Sequence, residues 1–112
     1  MRRVVMRLQL LSLFAICLVV SAQAAVPEYD VDARCAAAAT QDGAMSPAQF
    51  KACLQLEQTA YDSVREHWDK LSSASQDYCL QQTSTLGMYL VLKGCVDAEY
   101  GASQSGEVTF KR

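Results

Sequence analysis

Between Ser46 and Leu71 one stripe dominates the chain. Phe50, Leu54, Glu57, Tyr61, Val64, Trp68 and Leu71 recur at steps of four and three, the spacing that puts side chains on one face of an α-helix. Cys53 and Ala60 lie beside that face. The start is marked three times over: Ser46 can cap, Pro47 sits where its missing N–H costs nothing, and Gln49 can close a capping box. A helix of about 25 residues, at about 1.5 Å each, is a rod roughly 38 Å long. One short helix cannot cover such a rod, so the rest of the chain is expected to fold against it.

Not all 112 residues belong to that fold. Arg2, Arg3 and Arg7 precede a mostly apolar run from Leu8 to Val20, and Ala22-Gln23-Ala24 follows as a small-x-small cleavage signal. This is the pattern of an export leader. The apolar run is too short for a spanning helix, although an uncleaved anchor is the alternative. Cys17 lies inside the run without the small preceding residue that lipidation needs, since Ile16 stands there. Residues 1–24 therefore read as a signal peptide, with the mature chain starting near Ala25 or a residue or two earlier, in the periplasm or outside the cell. No membrane contact is expected after cleavage.

The mature chain, Ala25 to Arg112, has 88 residues. It keeps all twelve acidic residues and loses three of the ten basic ones, leaving seven against twelve, a net charge of −5. A nucleic-acid binder needs a basic face, so that class is set aside. A basic protein partner is compatible with the charge, as is plain solubility.

Four cysteines remain: Cys35, Cys53, Cys79 and Cys95. An even count in a small exported chain reads as two disulfides, useful because a core of this size is marginal. No pair has the two-residue spacing of a redox or zinc motif and the chain holds one histidine, so no metal or cofactor is expected. Pairing sequence neighbours, Cys35 with Cys53 and Cys79 with Cys95, would close two helical hairpins and is favoured. The nested alternative, Cys35 with Cys95 and Cys53 with Cys79, stays open.

The remaining elements follow from local signals. Asp30 or Asp32 can cap a short helix through Arg34 and the alanines 36–39, which Gln41-Asp42-Gly43 breaks. After the long helix, Ser73 with Gln76 offers a second capping box, leading a short helix over Gln76–Gln82. Thr83–Thr85 is a polar break, and a last helix is expected from about Leu86 to Tyr100, ended by Gly101. Gly87 and Gly94 weaken it, unless Gly94 lets another backbone approach. Residues 102–112 read as a flexible tail, with a weak strand at 107–110 as an option. The expected fold is all-α: a small disulfide-stapled domain over residues 25–101, one long central helix with three shorter ones.

Glu57 is the oddity, a carboxylate near the middle of the apolar stripe. It must find partners or be neutralised, because unpaired burial costs several kcal/mol. Arg34 or a tyrosine hydroxyl could supply the partner, making a buried polar contact. A ligand-facing acid in a cleft, or a gap in the core that leaves Glu57 in solvent, are the other readings. Leucine at this position is expected to fold, and lysine to lower the melting temperature sharply.

No catalytic constellation can be assembled. His67 lies off the stripe beside Glu66 and reads as a solvated surface residue, and no serine sits in a nucleophile-elbow context. Asp62, Glu66, Asp69 and Asp77, interleaved with Arg65 and Lys70, read as a solvated face. Trp68 and Tyr61 read as core, with a ligand platform as the alternative. An enzyme is not expected.

Two family likenesses arise on these residues. Trp68-Asp69-Lys70-Leu71, Cys79, and Met88-Tyr89 through Leu92 to Cys95-Val96 resemble an uncharacterised group of small exported proteins of Gram-negative bacteria. Their pattern is a tryptophan, a cysteine about eleven residues on, then Ser-Tyr-x-x-Leu-x-x-Cys-Leu; here Met88 replaces the serine and Val96 the leucine. The likeness spans roughly Cys53 to Cys95 and implies compartment and fold. Cys35, Cys53 and the stretch Gln58-Thr59-Ala60-Tyr61-Asp62-Ser63-Val64 are similar to the periplasmic lysozyme-inhibitor-like helical domain, but depart from its Ala-Asp-x-x-Leu-Asn-x-x-Tyr pattern and imply no particular inhibitory residue. The function expected is a non-catalytic periplasmic or secreted binding protein of unknown partner. The rivals are an inhibitor of a cell-wall hydrolase and a structural subunit of an envelope complex. The oligomeric state is not set by the sequence.

Overall fold

The computed structural model describes residues 23–105, so most of the leader, the end of the tail and the option of a strand at 107–110 lie outside the described residues. An extended lead-in runs from Gln23 to Asp30. It is followed by α1 (Val31–Ala39), a two-residue hairpin of β1 (Thr40–Gln41) and β2 (Ala44–Met45), then α2 (Pro47–Trp68), α3 (Ser73–Thr83) and α4 (Tyr89–Ser105). The all-α architecture with one long helix and shorter partners is as expected. The 22 residues of α2 make a rod of about 33 Å. Helices α1 and α4 both pack on α2, and α3 packs on α4.

Each helix start has a local cause. The Asp30 carboxylate accepts from Ala33 N–H (3.1 Å) at the head of α1. Ser46 Oγ accepts from Gln49 N–H (3.3 Å), but the reciprocal half of the capping box is absent. Ser46 N–H donates instead to the Ala39 carbonyl (2.9 Å), tying α2 back to the end of α1. Between those helices Thr40 pairs with Met45 and Gln41 with Ala44. The connecting Asp42-Gly43 sits at φ 50° and 78°, the positive dihedrals that a tight two-residue hairpin turn needs.

Several boundaries differ from those the sequence signals suggest. Helix α2 stops at Trp68, because Lys70 and Leu71 N–H close back three residues onto the His67 and Trp68 carbonyls (3.0 and 3.1 Å); Leu71 is still buried. The cap of α3 is Ser72, whose Oγ accepts from Ser75 N–H (3.1 Å), one residue earlier than the Ser73–Gln76 box. Gln76 is thereby turned inward. Thr83 is not in a break; it is the buried last residue of α3 and donates its hydroxyl to the Cys79 carbonyl (2.7 Å). Gly87, at φ 57°, lies in the turn ahead of α4 rather than within it. At the other end α4 continues through Gly101 to Ser105. A mid-helix glycine costs only about 1 kcal/mol, and the Ser103 and Ser105 hydroxyls bond back to the Tyr100 and Ala102 carbonyls. The helical domain thus runs past residue 101.

The core is a cluster of Ala60, Val64, Trp68, Leu71, Cys79, Tyr89, Leu92 and Val96. Cys79–Cys95 bridges α3 to α4 within it, and Cys35–Cys53 bridges α1 to α2, so the neighbour pairing is the one adopted. Gly94 faces open space, which removes the close-approach reading.

Candidate functional site

An open cleft of about 380 Å³ lies where the lead-in, α1, α2 and α4 meet. Tyr29 comes from the lead-in, Val31 and Asp32 from the first turn of α1, Leu54, Glu57, Gln58 and Tyr61 from α2, and Tyr89 from the first turn of α4. Its centre is a chain of three rings. Tyr89 is 4.8 Å from Tyr29, tilted by 44°, and 4.8 Å from Tyr61, edge-on at 62°. The Tyr89 hydroxyl donates to the Pro27 carbonyl (2.7 Å) and accepts from Tyr29 N–H (3.1 Å), so one phenol holds both ends of the Pro27–Tyr29 segment. Burial pushes the Tyr89 phenol above its usual range; the Tyr29 N–H bond works against that, and nearby Tyr61, Tyr29 and Glu28 add to it.

Glu57 forms part of the wall. It is 2 % exposed, and both carboxylate oxygens are used: Tyr89 N–H donates to Oε2 (2.7 Å) and Leu90 N–H to Oε1 (3.1 Å). These are the first two amides of α4, which no intrahelical carbonyl can reach. The residue before α4 is Met88, which has no side-chain oxygen to cap with. A carboxylate borrowed from α2 does so instead, and its charge suits the positive end of the helix dipole. Neither expected partner is used. Arg34 is exposed, and its guanidinium lies over Gly87, within 3.3 Å of where a Cβ would stand.

A second polar joint ties the end of α2 to the lead-in. Gln76 is fully buried; its Nε2 donates to the Trp68 carbonyl (2.8 Å), while its Oε1 accepts from Ala24 N–H (3.2 Å). The Trp68 Nε1–H donates to the Ala24 carbonyl (2.6 Å). The lead-in is therefore pinned at Ala24 and again at Pro27 and Tyr29, which sets the position of the Tyr29 ring. No sequence signal marked Ala24, Gln76 or Tyr29 for this role.

Glu57 is consumed by backbone amides, while Asp32 is exposed at the rim. His67 is elsewhere, half-buried, with Nδ1 3.1 Å from the Ser63 carbonyl and its ring 4.6 Å from that of Tyr100. Asp62 accepts from Gln58 Nε2 (2.9 Å) on the helix surface. Among the described residues no three or more His, Cys, Asp or Glu side chains gather as a metal site, and no helix is long and apolar enough to cross a membrane. Two disulfides in so small a domain suggest an oxidising compartment, extracellular or periplasmic.

Fold and cleft together define a small disulfide-stapled helical domain with an aromatic recess. No family model, curated protein or solved structure matches the chain.

Proposed function

We propose that the chain is a non-catalytic binding protein of the periplasm or extracellular space, released from an N-terminal leader, which receives a cationic side chain of a basic protein partner in the tyrosine cleft. The observation that carries this reading is the trio Tyr29, Tyr61 and Tyr89 with the Asp32 carboxylate at the rim. Ring faces attract ammonium and guanidinium groups, and a carboxylate at the mouth adds a charge-assisted hydrogen bond. The Arg65 guanidinium already lies 5.7 Å from the Tyr61 ring centroid. A mature net charge of −5 would draw a basic partner toward the surface.

The test is a titration of the oxidised mature protein against a c-type lysozyme, a compact basic protein, following binding and lytic rate at low and moderate salt. Saturable binding that persists at moderate salt, and weakens about twofold to thirtyfold in Tyr61→Ala, supports the cleft. Binding that vanishes at moderate salt is diffuse charge attraction, and unchanged affinity in Tyr61→Ala removes the cleft from the interface. A fall in lytic rate along with binding would favour the narrower reading of a cell-wall hydrolase inhibitor, in line with the lysozyme-inhibitor-like resemblance.

The third class, an envelope subunit, draws on exposed Leu56, Leu86 and Leu90 (58, 54 and 48 %). Concentration-dependent gel filtration addresses it, and a monomer at all concentrations counts against obligate self-assembly.

A further inference from the structure

We infer that the mature chain begins at Gln23, by hydrolysis of the Ala22–Gln23 bond, and not at Ala25 as the Ala22-Gln23-Ala24 signal suggests. The inference rests on the leader reading above and fixes the register within it.

The argument starts from Ala24. Its carbonyl is the acceptor for Trp68 Nε1–H and its N–H is the donor to Gln76 Oε1. With Ala24 in place Trp68 is 2 % exposed and Gln76 is 0 % exposed, so Ala24 is part of what covers both groups. Ala24 also packs against the core cluster. Hydrolysis after Ala24 would remove that residue with the leader. It would take the acceptor from the indole N–H and the donor from the amide oxygen, and would strip from the core the residue that covers both. The lead-in would lose its first anchor, loosening the extended segment that carries Tyr29 to the cleft.

Hydrolysis two residues earlier keeps every one of these contacts. Gln23 is exposed, so a new α-ammonium there stays in solvent. A leader peptidase needs compact residues just before the bond and two positions ahead of it. Ala22 supplies the first and Val20 the second, whereas hydrolysis after Gln23 would put a long polar side chain at the critical position. Water adds across the Ala22–Gln23 peptide bond, leaving a carboxylate on Ala22 and an amine on Gln23. The catalyst is the exporting cell's leader peptidase.

The full chain is expressed in a Gram-negative host, and the exported protein is weighed intact. The expected mass is that of a chain starting at Gln23, either with a free amine or cyclised onto the glutamine side chain and lighter by one ammonia. A mass lower by one glutamine and one alanine residue, a start at Ala25, overturns the inference and leaves the leader reading standing. The mass of the whole precursor overturns both. Ala24→Leu supplies the second arm. It places a bulky side chain immediately before the Ala24–Ala25 bond, but two positions beyond the Ala22–Gln23 bond. Pulse-labelling reads its processing before folding matters. Conversion at the wild-type rate to a Gln23 start is expected, and accumulation of precursor, with wild type processed normally, would show that the Ala24–Ala25 bond is the one cut.

Discussion

Replacing Glu57 by glutamine removes one charge and hardly changes shape, which makes it the sharpest probe of how α4 is held. In the wild type the carboxylate accepts from Tyr89 N–H and Leu90 N–H at 2.7 and 3.1 Å while 2 % exposed. Hydrogen bonds to a charged group contribute roughly 1.5–3 kcal/mol each, and an anion at a partly buried helix N-terminus adds up to about 2 kcal/mol. Glutamine keeps one acceptor oxygen but turns an NH₂ toward the second amide, donor against donor. One bond and the charge–dipole term are lost, so a destabilisation of about 2–4 kcal/mol is expected. For a domain this small that is a fall in Tm of roughly 10–25 °C. Urea unfolding with the disulfides intact, followed by Trp68 fluorescence, gives the global value. Amide exchange at Tyr89 and Leu90 reads the site itself and should accelerate more than exchange in α2. Leucine now also carries a cost, because two amides lose their acceptor at about 1–3 kcal/mol each against an apolar gain of about 1.5–3 kcal/mol; it should still fold. Lysine, a cation against the positive end of α4, should be the worst of the three. A Glu57→Gln protein within about 0.5 kcal/mol of wild type, with unchanged exchange at both amides, would refute the capping argument.

Two glycines should respond with opposite signs. Gly94 is helical with nothing within 4 Å of a built Cβ, so Gly94→Ala should stabilise by about 0.5–1 kcal/mol in thermal unfolding. Gly87, at φ 57° and 3.3 Å from Arg34 Nη2, should lose about 1–2 kcal/mol on the same change. Removing Cys35–Cys53 with a double serine substitution should free α1 and the hairpin first: hydrogen exchange should rise across Val31–Met45 while the Trp68-centred core, which Cys35 and Ala39 do not join, stays protected. A uniform rise would refute that local reading; the loop entropy at stake is about 3 kcal/mol for the separation of 18. Because the folded state holds the Tyr89 proton more tightly than the unfolded chain, the associated stability is fully present below the ordinary phenol pKa of about 10 and falls as pH rises through the raised folded value. Alkaline titration of unfolding should show a smaller loss above pH ~10 in Tyr89→Phe than in wild type, measured as the slope of ΔG against pH.

The stripe on α2, its Ser46–Pro47 start and the cysteine pairing by neighbours were readable because each is local or follows from chain order. Glu57 was visible as an anomaly, yet its partners were not: a backbone amide carries no sequence signature, and Tyr89 and Leu90 lie 32 and 33 positions away. Gln76 misled for a related reason. Three residues after Ser73 it fits a capping box, but Ser72 takes the cap and leaves the amide free to face inward. Gly101 misled because a helix-ending glycine and a tolerated one look alike until the residues beyond it are seen to bond back. The cleft was the least readable feature. Tyr29, Tyr61 and Tyr89 come from three elements, and only the pinned lead-in brings the first to the others.

Those two misplaced polar residues explain how so short a chain keeps an open recess at all. An 80-odd-residue domain has little core to spare, and a cleft subtracts from it. Here Glu57 ties α2 to the head of α4 through amides that would otherwise need water, and Gln76 ties the end of α2 to the lead-in through Ala24. Glu57 lines the cleft, and Gln76 holds the lead-in that carries Tyr29 to it. Among the described residues no buried side-chain nitrogen or oxygen lacks a hydrogen-bond partner, so these joints hold the walls without the penalty that half-satisfied polar groups bring. The outer wall, Tyr29, depends on both: on Gln76 and Trp68 through Ala24, and on Tyr89 through its hydroxyl. Loosening either joint should therefore open the recess before it unfolds the helices.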